Sequence, residues 1–192
     1  MRLKITLGFA LVALLLAGAA AAPETYKVDP AHTRLGFSVR HLGINHVRGH
    51  FDEFEGTVVL DQGAIREAGA TIQVKSINTG VEQRDDHLRS ADFFDAATHP
   101  VMTFKTKRVE RKDDQTVLVA DFTIRGVTKE VRLPVTLNGP ITDQDGNARI
   151  GLEGKLVINR KDYGINFDAA LESGVALVGE EVLIELNIEA VR

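Results

Sequence analysis

The chain has 192 residues, a formal net charge of −4 and no cysteine. Without cysteine there are no disulfides, no thiol nucleophile, no thiolate metal site and no cysteine-linked lipid anchor. The negative balance gives no electrostatic reason to expect nucleic acid as a partner.

Residues 1–21 read as a targeting segment. Arg2 and Lys4 form a short positive start, residues 7–19 are apolar and uncharged, and the small residues Ala19, Ala20, Ala21 and Ala22 precede Pro23. This is the order of a secretory signal peptide, with cleavage expected after Ala20 or Ala21. The apolar run is short for a membrane-spanning helix, which needs about 20 residues. Export to the periplasm follows as an expectation, and a cysteine-free domain of this size needs no bridges there. No later stretch could span a bilayer, so no stable membrane insertion is expected once the signal is removed. Residues 22–192 then read as one domain, long enough for a real core.

Within that domain the dominant signal has period 2, the mark of half-buried strands. Leu35, Phe37 and Val39 alternate with Arg34, Ser38 and Arg40; Phe54, Val58 and Leu60 with Glu55, Thr57 and Asp61. Ile72 and Val74 follow, then Met102 and Phe104, then Leu118, Ala120, Phe122 and Ile124. Val131, Leu133, Val135 and Leu137 make the next run, then Ile150, Leu152, Leu156 and Ile158, and last Val182, Ile184, Leu186 and Ile188. That makes about eight strands.

Turn chemistry separates them. Hairpin turns are expected at residues 112–115 and 143–147, with a third tight connection at 125–128. Pro134 lacks a donor, which predicts an edge, a bulge or a break in pairing. Residues 81–97 leave period 2 and predict a short helix, with a further turn beginning at Ser90 and an end at His99-Pro100.

Sheets with one apolar face must pack on something, and one or two short helices are too little cover. A sandwich or a closed antiparallel barrel remains, and closure also removes unpaired edges. An eight-stranded barrel is either filled by its side chains or hollow enough for one small ligand. Gly36, Gly56 and Gly154 are read on the apolar faces, where they leave space or allow strand bends. Pattern alone leaves the packed and the hollow interior equally open.

Five blocks, in order, resemble the YceI-like, polyisoprenoid-binding family over nearly the whole mature chain. They are residues 26–33 (YKVDPAHT), 37–51 (FSVRHLG followed by VRGHF), 84–100 (RDDHLRSADFFD with HP), 122–135 (FTIRGVTK and LPV) and 159–165 (NRKDYGI). The resemblance implies a single antiparallel eight-stranded lipocalin-like barrel. A long isoprenoid or similar amphiphile would lie in its tunnel, with a pyrophosphate or quinone head near a mouth.

On that reading the expected tunnel lining is Leu35, Phe37, Val39, Ile72, Val74, Met102, Phe104, Phe122, Leu133, Val135, Leu152, Leu156, Ile184 and Leu186. The expected cations for a head group are Arg40, His41, Arg48, Arg84 and Arg89, since guanidinium matches phosphate geometry. No cofactor is expected beyond the bound lipid, and no metal: His32, His41, His46 and His50 fit no strong zinc spacing. Asp85, Asp86, Asp92 and Asp95 suit caps and ion pairs better than catalysis, and Arg160 and Asp162 suit a loop staple. The sequence therefore predicts a non-enzymatic carrier. The competing functions are an envelope-stress interaction protein with a filled barrel and an isoprenoid-modifying hydrolase, although no Gly-x-Ser-x-Gly elbow occurs. Val117, Val119, Leu183 and Val191, apolar on otherwise polar faces, are candidates for a homodimer contact.

Overall fold

The computed structural model describes residues 22–113 and 115–192; the expected signal segment, residues 1–21, lies outside the described residues. Eleven strands form one antiparallel sheet. They are β1 (Glu24–Val28), β2 (Arg34–His41), β3 (Asn45–Phe51), β4 (Phe54–Asp61), β5 (Ala64–Gln73), β6 (Ile77–Asn78), β7 (Val101–Lys112), β8 (Gln115–Ile124), β9 (Val127–Thr142), β10 (Ala148–Asn159) and β11 (Val178–Val191). The helix α1 (Glu82–Arg89) lies between β6 and β7.

The sheet closes because β1 pairs with β11, giving a ring of eight strands in the order β1-β4-β5-β7-β8-β9-β10-β11. The remaining three strands are continuations rather than additions. β2 prolongs β1, β3 leads into β4, and β6 prolongs β5, each across a short break. The breaks have local causes. Pro30 opens a short 3₁₀ turn after Asp29, whose carboxylate accepts from the Ala31 amide at 3.0 Å. Residues 74–76 form a second such turn, and the Asp52 amide donates to the Ser76 carbonyl at 3.1 Å. Three neighbouring strands thus bend at one level, and β2, β3 and β6 extend the barrel wall on one side.

Tight turns fix the register. Asp61 pairs with Ala64, and Ile124 with Val127, leaving two-residue loops. Gln62-Gly63 and Arg125-Gly126 all have positive φ, from 48° to 78°, the conformation whose twist matches the flanking strands. At 143–147 the Asp143 carboxylate accepts from the Asp145 and Asn147 amides, both at 2.9 Å.

Pro134 does break a ladder. It pairs with Val117 of β8, but pairing between β9 and β10 stops beside it at Val135↔Gly154. From there β9 towards its start, and β10 towards its end, have no strand partner on their facing edges. A 3₁₀ turn, Arg160–Tyr163, packs against β9, β10 and β11 at this seam.

The glycines act differently from the expectation. Gly36 stands opposite His50 and Glu185, on the outward side of its ladders, while its backbone borders the interior cavity. Gly56 and Gly154 do face inward, yet a Cβ there would meet the Gly69 oxygen at 2.8 Å or the Pro134 oxygen at 2.9 Å. They let neighbouring strands close up rather than leaving room. Val119, expected to be exposed, is fully buried. It is flanked in both ladders by Arg108 and Arg132, which both bond Glu110, and long stems of this kind cover apolar neighbours.

Two apolar clusters divide the interior. At the end holding the β4–β5 turn, Tyr26, Val58, Leu60, Ile65, Leu118 and Ile150 are each no more than 2% exposed. Towards the α1 end lies a second cluster with Phe51, Phe93, Met102, Phe122, Tyr163 and Ile165, against which half-buried Phe37, Phe94 and Phe104 pack.

Candidate functional site

The second cluster surrounds a hollow, which reaches Val58, Leu118 and Leu152 of the first. A cavity of about 180 Å³ lies inside the barrel, and its wall exposes apolar surface only. All the residues expected to line a tunnel border it except Val74 and Val135. Val74 sits in the 3₁₀ turn between β5 and β6 and is buried in the adjoining core. Val135 belongs to the packed end. The alternation stops short of both positions: the turn rotates Val74, and the end of the β9–β10 ladder sets Val135 against Gly154.

Several lining residues lay outside any periodic run. Leu88 comes from α1, Phe93 and Phe94 from the turns after it, and Tyr163 and Ile165 from the segment after β10. These segments cap the strands. The Phe94 amide donates to the Leu88 carbonyl at 3.0 Å, tucking the Phe pair under the helix. Phe167 stacks on Phe93 with centroids 4.7 Å apart, and His87 meets both rings edge-on. An aromatic residue in a turn needs an apolar home, and that was the available signal.

Gly49 shapes the wall on the β3 side. A Cβ there would lie 2.4 Å from Cζ of Phe37, so the missing side chain lets the Phe37 ring lie across β3. The ring also meets Phe51 at 5.8 Å.

Arg160 is the one cation bordering the cavity among the described residues. It is 5% exposed. Its Nε donates to the Gly179 carbonyl at 2.9 Å, Nη1 to Ile165 at 2.6 Å and Nη2 to Val178 at 3.2 Å. Burial holds its pKa below the usual arginine value, with Glu180 and Asp168 opposing that effect from a distance. Since the wall exposes no polar surface, its guanidinium is spent on the backbone. It staples the segment that closes the barrel end. Arg125 assists, donating to the Gly164 carbonyl at 2.7 Å and to Ala91 at 2.9 Å. Tyr163 beside it is pushed up to about 12 by burial, with Asp162 adding to the shift.

None of the five expected head-group residues borders the cavity. Arg84 bonds the Thr79 hydroxyl and carbonyl, and Arg89 holds the Lys75 and Ile77 carbonyls and Asp86. Arg40, His41 and Arg48 sit on the β2–β3 hairpin. Asp85 accepts from the Thr79 amide and hydroxyl and so ties the helix start to the preceding loop. Asp92 bonds His87 at 3.0 Å. At the opposite barrel end Asp29, His32 and Glu189 converge. Arg149 already bonds Asp29 at 3.0 Å, Glu189 at 2.7 Å and Asp143 at 2.6 Å, filling that place with a cation.

An eight-stranded up-and-down barrel is either filled by its side chains or able to hold one small ligand, and this one keeps an apolar hollow. The chain belongs to the YceI-like family, whose domain matches residues 26–190. A UPF0312 protein of Staphylococcus aureus (strain N315) is 38% identical over 167 residues, covering 85% of this chain and 95% of that one. The crystal structure of BcnA from Burkholderia cenocepacia superposes with a TM-score of 0.74 at 23% identity, covering 85% of this chain and 99% of that one. A polyisoprenoid binding domain from Saccharophagus degradans gives a TM-score of 0.61 at 19% identity, over 86% and 97% of the two chains.

Proposed function

We propose that this protein is a non-enzymatic carrier of a long apolar lipid of the polyisoprenoid class, working in the periplasm after loss of residues 1–21. The observation that carries the reading is the wholly apolar wall of the cavity. A polar group placed there would cost roughly 2–7 kcal/mol for want of a partner. A hydrocarbon tail needs none. The polar head must then stay outside the hollow. The polyisoprenoid binding of the Saccharophagus domain supports the choice of lipid class.

The energetics suit such a guest. Burial is worth about 0.8 kcal/mol per CH₂, so a five-carbon unit gains roughly 3–4 kcal/mol at most. Association costs roughly 4–15 kcal/mol in lost freedom. Several units must therefore be buried before binding is tight, so a hollow of about 180 Å³, near the size that holds one benzene, has to widen to take a long chain.

Organic extraction and mass spectrometry of protein purified from its own host test the reading. A co-purifying isoprenoid is the expected result; protein that is empty and takes up no isoprenoid overturns it. A bulk substitution sharpens the test. Ala70 borders the cavity and pairs with Phe104, which also borders it. Ala70→Phe is expected to fill the hollow and abolish uptake while the protein still folds.

A further inference from the structure

Two separate covers close the hollow at the α1 end. The first is α1 with the turns after it, which brings Leu88, Phe93 and Phe94 to the cavity wall. The second is the segment after β10, which brings Tyr163 and Ile165. Each is fastened to its own side of the barrel. Arg84 and Arg89 bind the first to the stretch before the helix, through the carbonyls of Thr79, Lys75 and Ile77. Arg160 binds the second to the start of β11, through the carbonyls of Val178 and Gly179.

Little joins the covers to each other. Among the described residues, no main-chain hydrogen bond and no ion pair runs from residues 82–99 to residues 160–177. They meet in one aromatic contact, with Phe167 stacked on Phe93 and the His87 ring edge-on to both. Otherwise they share a third residue. Arg125, in the β8–β9 turn, donates from Nη1 to the Gly164 carbonyl at 2.7 Å and from Nη2 to the Ala91 carbonyl at 2.9 Å. One guanidinium thus holds both covers. The line it bridges runs beside the cavity, since Ile165 follows Gly164 directly and Phe93 lies two residues after Ala91.

A hollow of about 180 Å³ has to widen for a long chain, and a head left outside needs an opening. The solid end offers no such line of weakness. Tyr26, Leu60 and Ile150 are packed there, and Arg149 joins Asp29, Asp143 and Glu189. We infer that the mouth of the site is the line between the two covers, and that Arg125 is its latch, giving up both bonds when the chain of the guest passes between them. The inference rests on the carrier reading above and names the entrance and the residue that controls it. A latch of this kind lowers affinity by the fraction of protein that is open, and bonds from a charged donor are the stronger ones to break.

Uptake and release of a radiolabelled polyprenol, delivered to the full protein as a cyclodextrin complex, test it. Arg125→Gln should take up the lipid about tenfold faster and bind it about tenfold tighter, with release unchanged, because the closed state loses a charged double bond that the loaded state does not make. A residue that merely supports the fold predicts the opposite, weaker binding. Phe167→Ala should also speed uptake, and it carries the test if Arg125→Gln does not fold. Arg149→Gln, which loosens the solid end, should leave the uptake rate as in wild type. If wild type takes up polyprenol but Arg125→Gln binds it no faster or more weakly, the latch is overturned and the carrier reading stands. Equal acceleration by Arg149→Gln also overturns it, by removing the preference for this end. Wild type that takes up no polyprenol overturns the carrier reading and the latch with it.

Discussion

The two ends of this barrel are built from the same strands and the same alternation, yet one is solid and the other hollow. At the β4–β5 end, Tyr26, Leu60, Ile65 and Ile150 pack in one cluster and leave almost no exposed area. At the α1 end the lining includes Phe37, Phe94 and Phe104, which remain partly exposed around the cavity. The difference lies in what closes each end. Short turns and the chain's own ring close the solid end. The hollow end is closed by α1 and by the segment stapled through Arg160, which span the opening without filling it. Alternation thus sets which side chains face inward, and the cover decides whether they meet.

Paired truncations break or sharpen that contrast most strongly. Leu60→Ala at the solid end is expected to cost about 2–5 kcal/mol, because the surroundings cannot collapse into the gap. Leu88→Ala, on the cavity wall, is expected to cost under about 2 kcal/mol, since that side chain already borders empty space. Urea unfolding of both variants measures this, and equal losses would remove the distinction between the ends.

Arg160→Leu should come next, at about 2 kcal/mol. Three carbonyl oxygens lose their donor, while relief from a desolvated guanidinium offsets part of the loss. Hydrogen exchange should show the amides of residues 164–179 opening before those of β4 and β5. Uniform exchange across the barrel would mean that the staple does not govern that end.

The smallest effect concerns acid. Arg149 beside Asp143 holds that carboxyl well below the usual carboxylate range, and His32 and then Arg149 lower Asp29. A depressed carboxylate contributes stability above its unfolded value, about 3.9, and loses it as pH falls towards the folded value. The advantage of wild type over Asp143→Asn should be full at pH 7 and shrink below about pH 4. Urea midpoints at neutral and acid pH read this directly; a gap that widens in acid would reverse the assignment.

The architecture was legible wherever strands alternate strongly. The runs around Phe37, Phe122, Leu133 and Ile184 lie in β2, β8, β9 and β11. β5 was legible only at Ile72, because Ala64, Ala68, Gly69 and Ala70 are too small to mark a face. β3 hides behind its histidines and Gly49. The short helix fell inside the expected segment but occupies only Glu82–Arg89. The site was legible on strands and invisible in turns: Phe93, Phe94, Tyr163 and Ile165 reach the cavity because their segments fold over it, which no local period encodes. Charge marked no residue of the cavity wall except Arg160, which reads as a loop staple. Arg84 and Arg89 are consumed by loop carbonyls, and residue type alone does not tell which cation has spare donors.

The gap beside Pro134 has a further consequence. Where β9 and β10 part, two rows of main-chain donors and acceptors lack a neighbouring strand, and the Arg160–Tyr163 turn is packed there in its place. Bare rows of this kind recruit foreign strands. A protein whose Arg160 clasp is weakened would therefore be prone to self-association before it unfolds, so the clasp guards solubility as well as the barrel end.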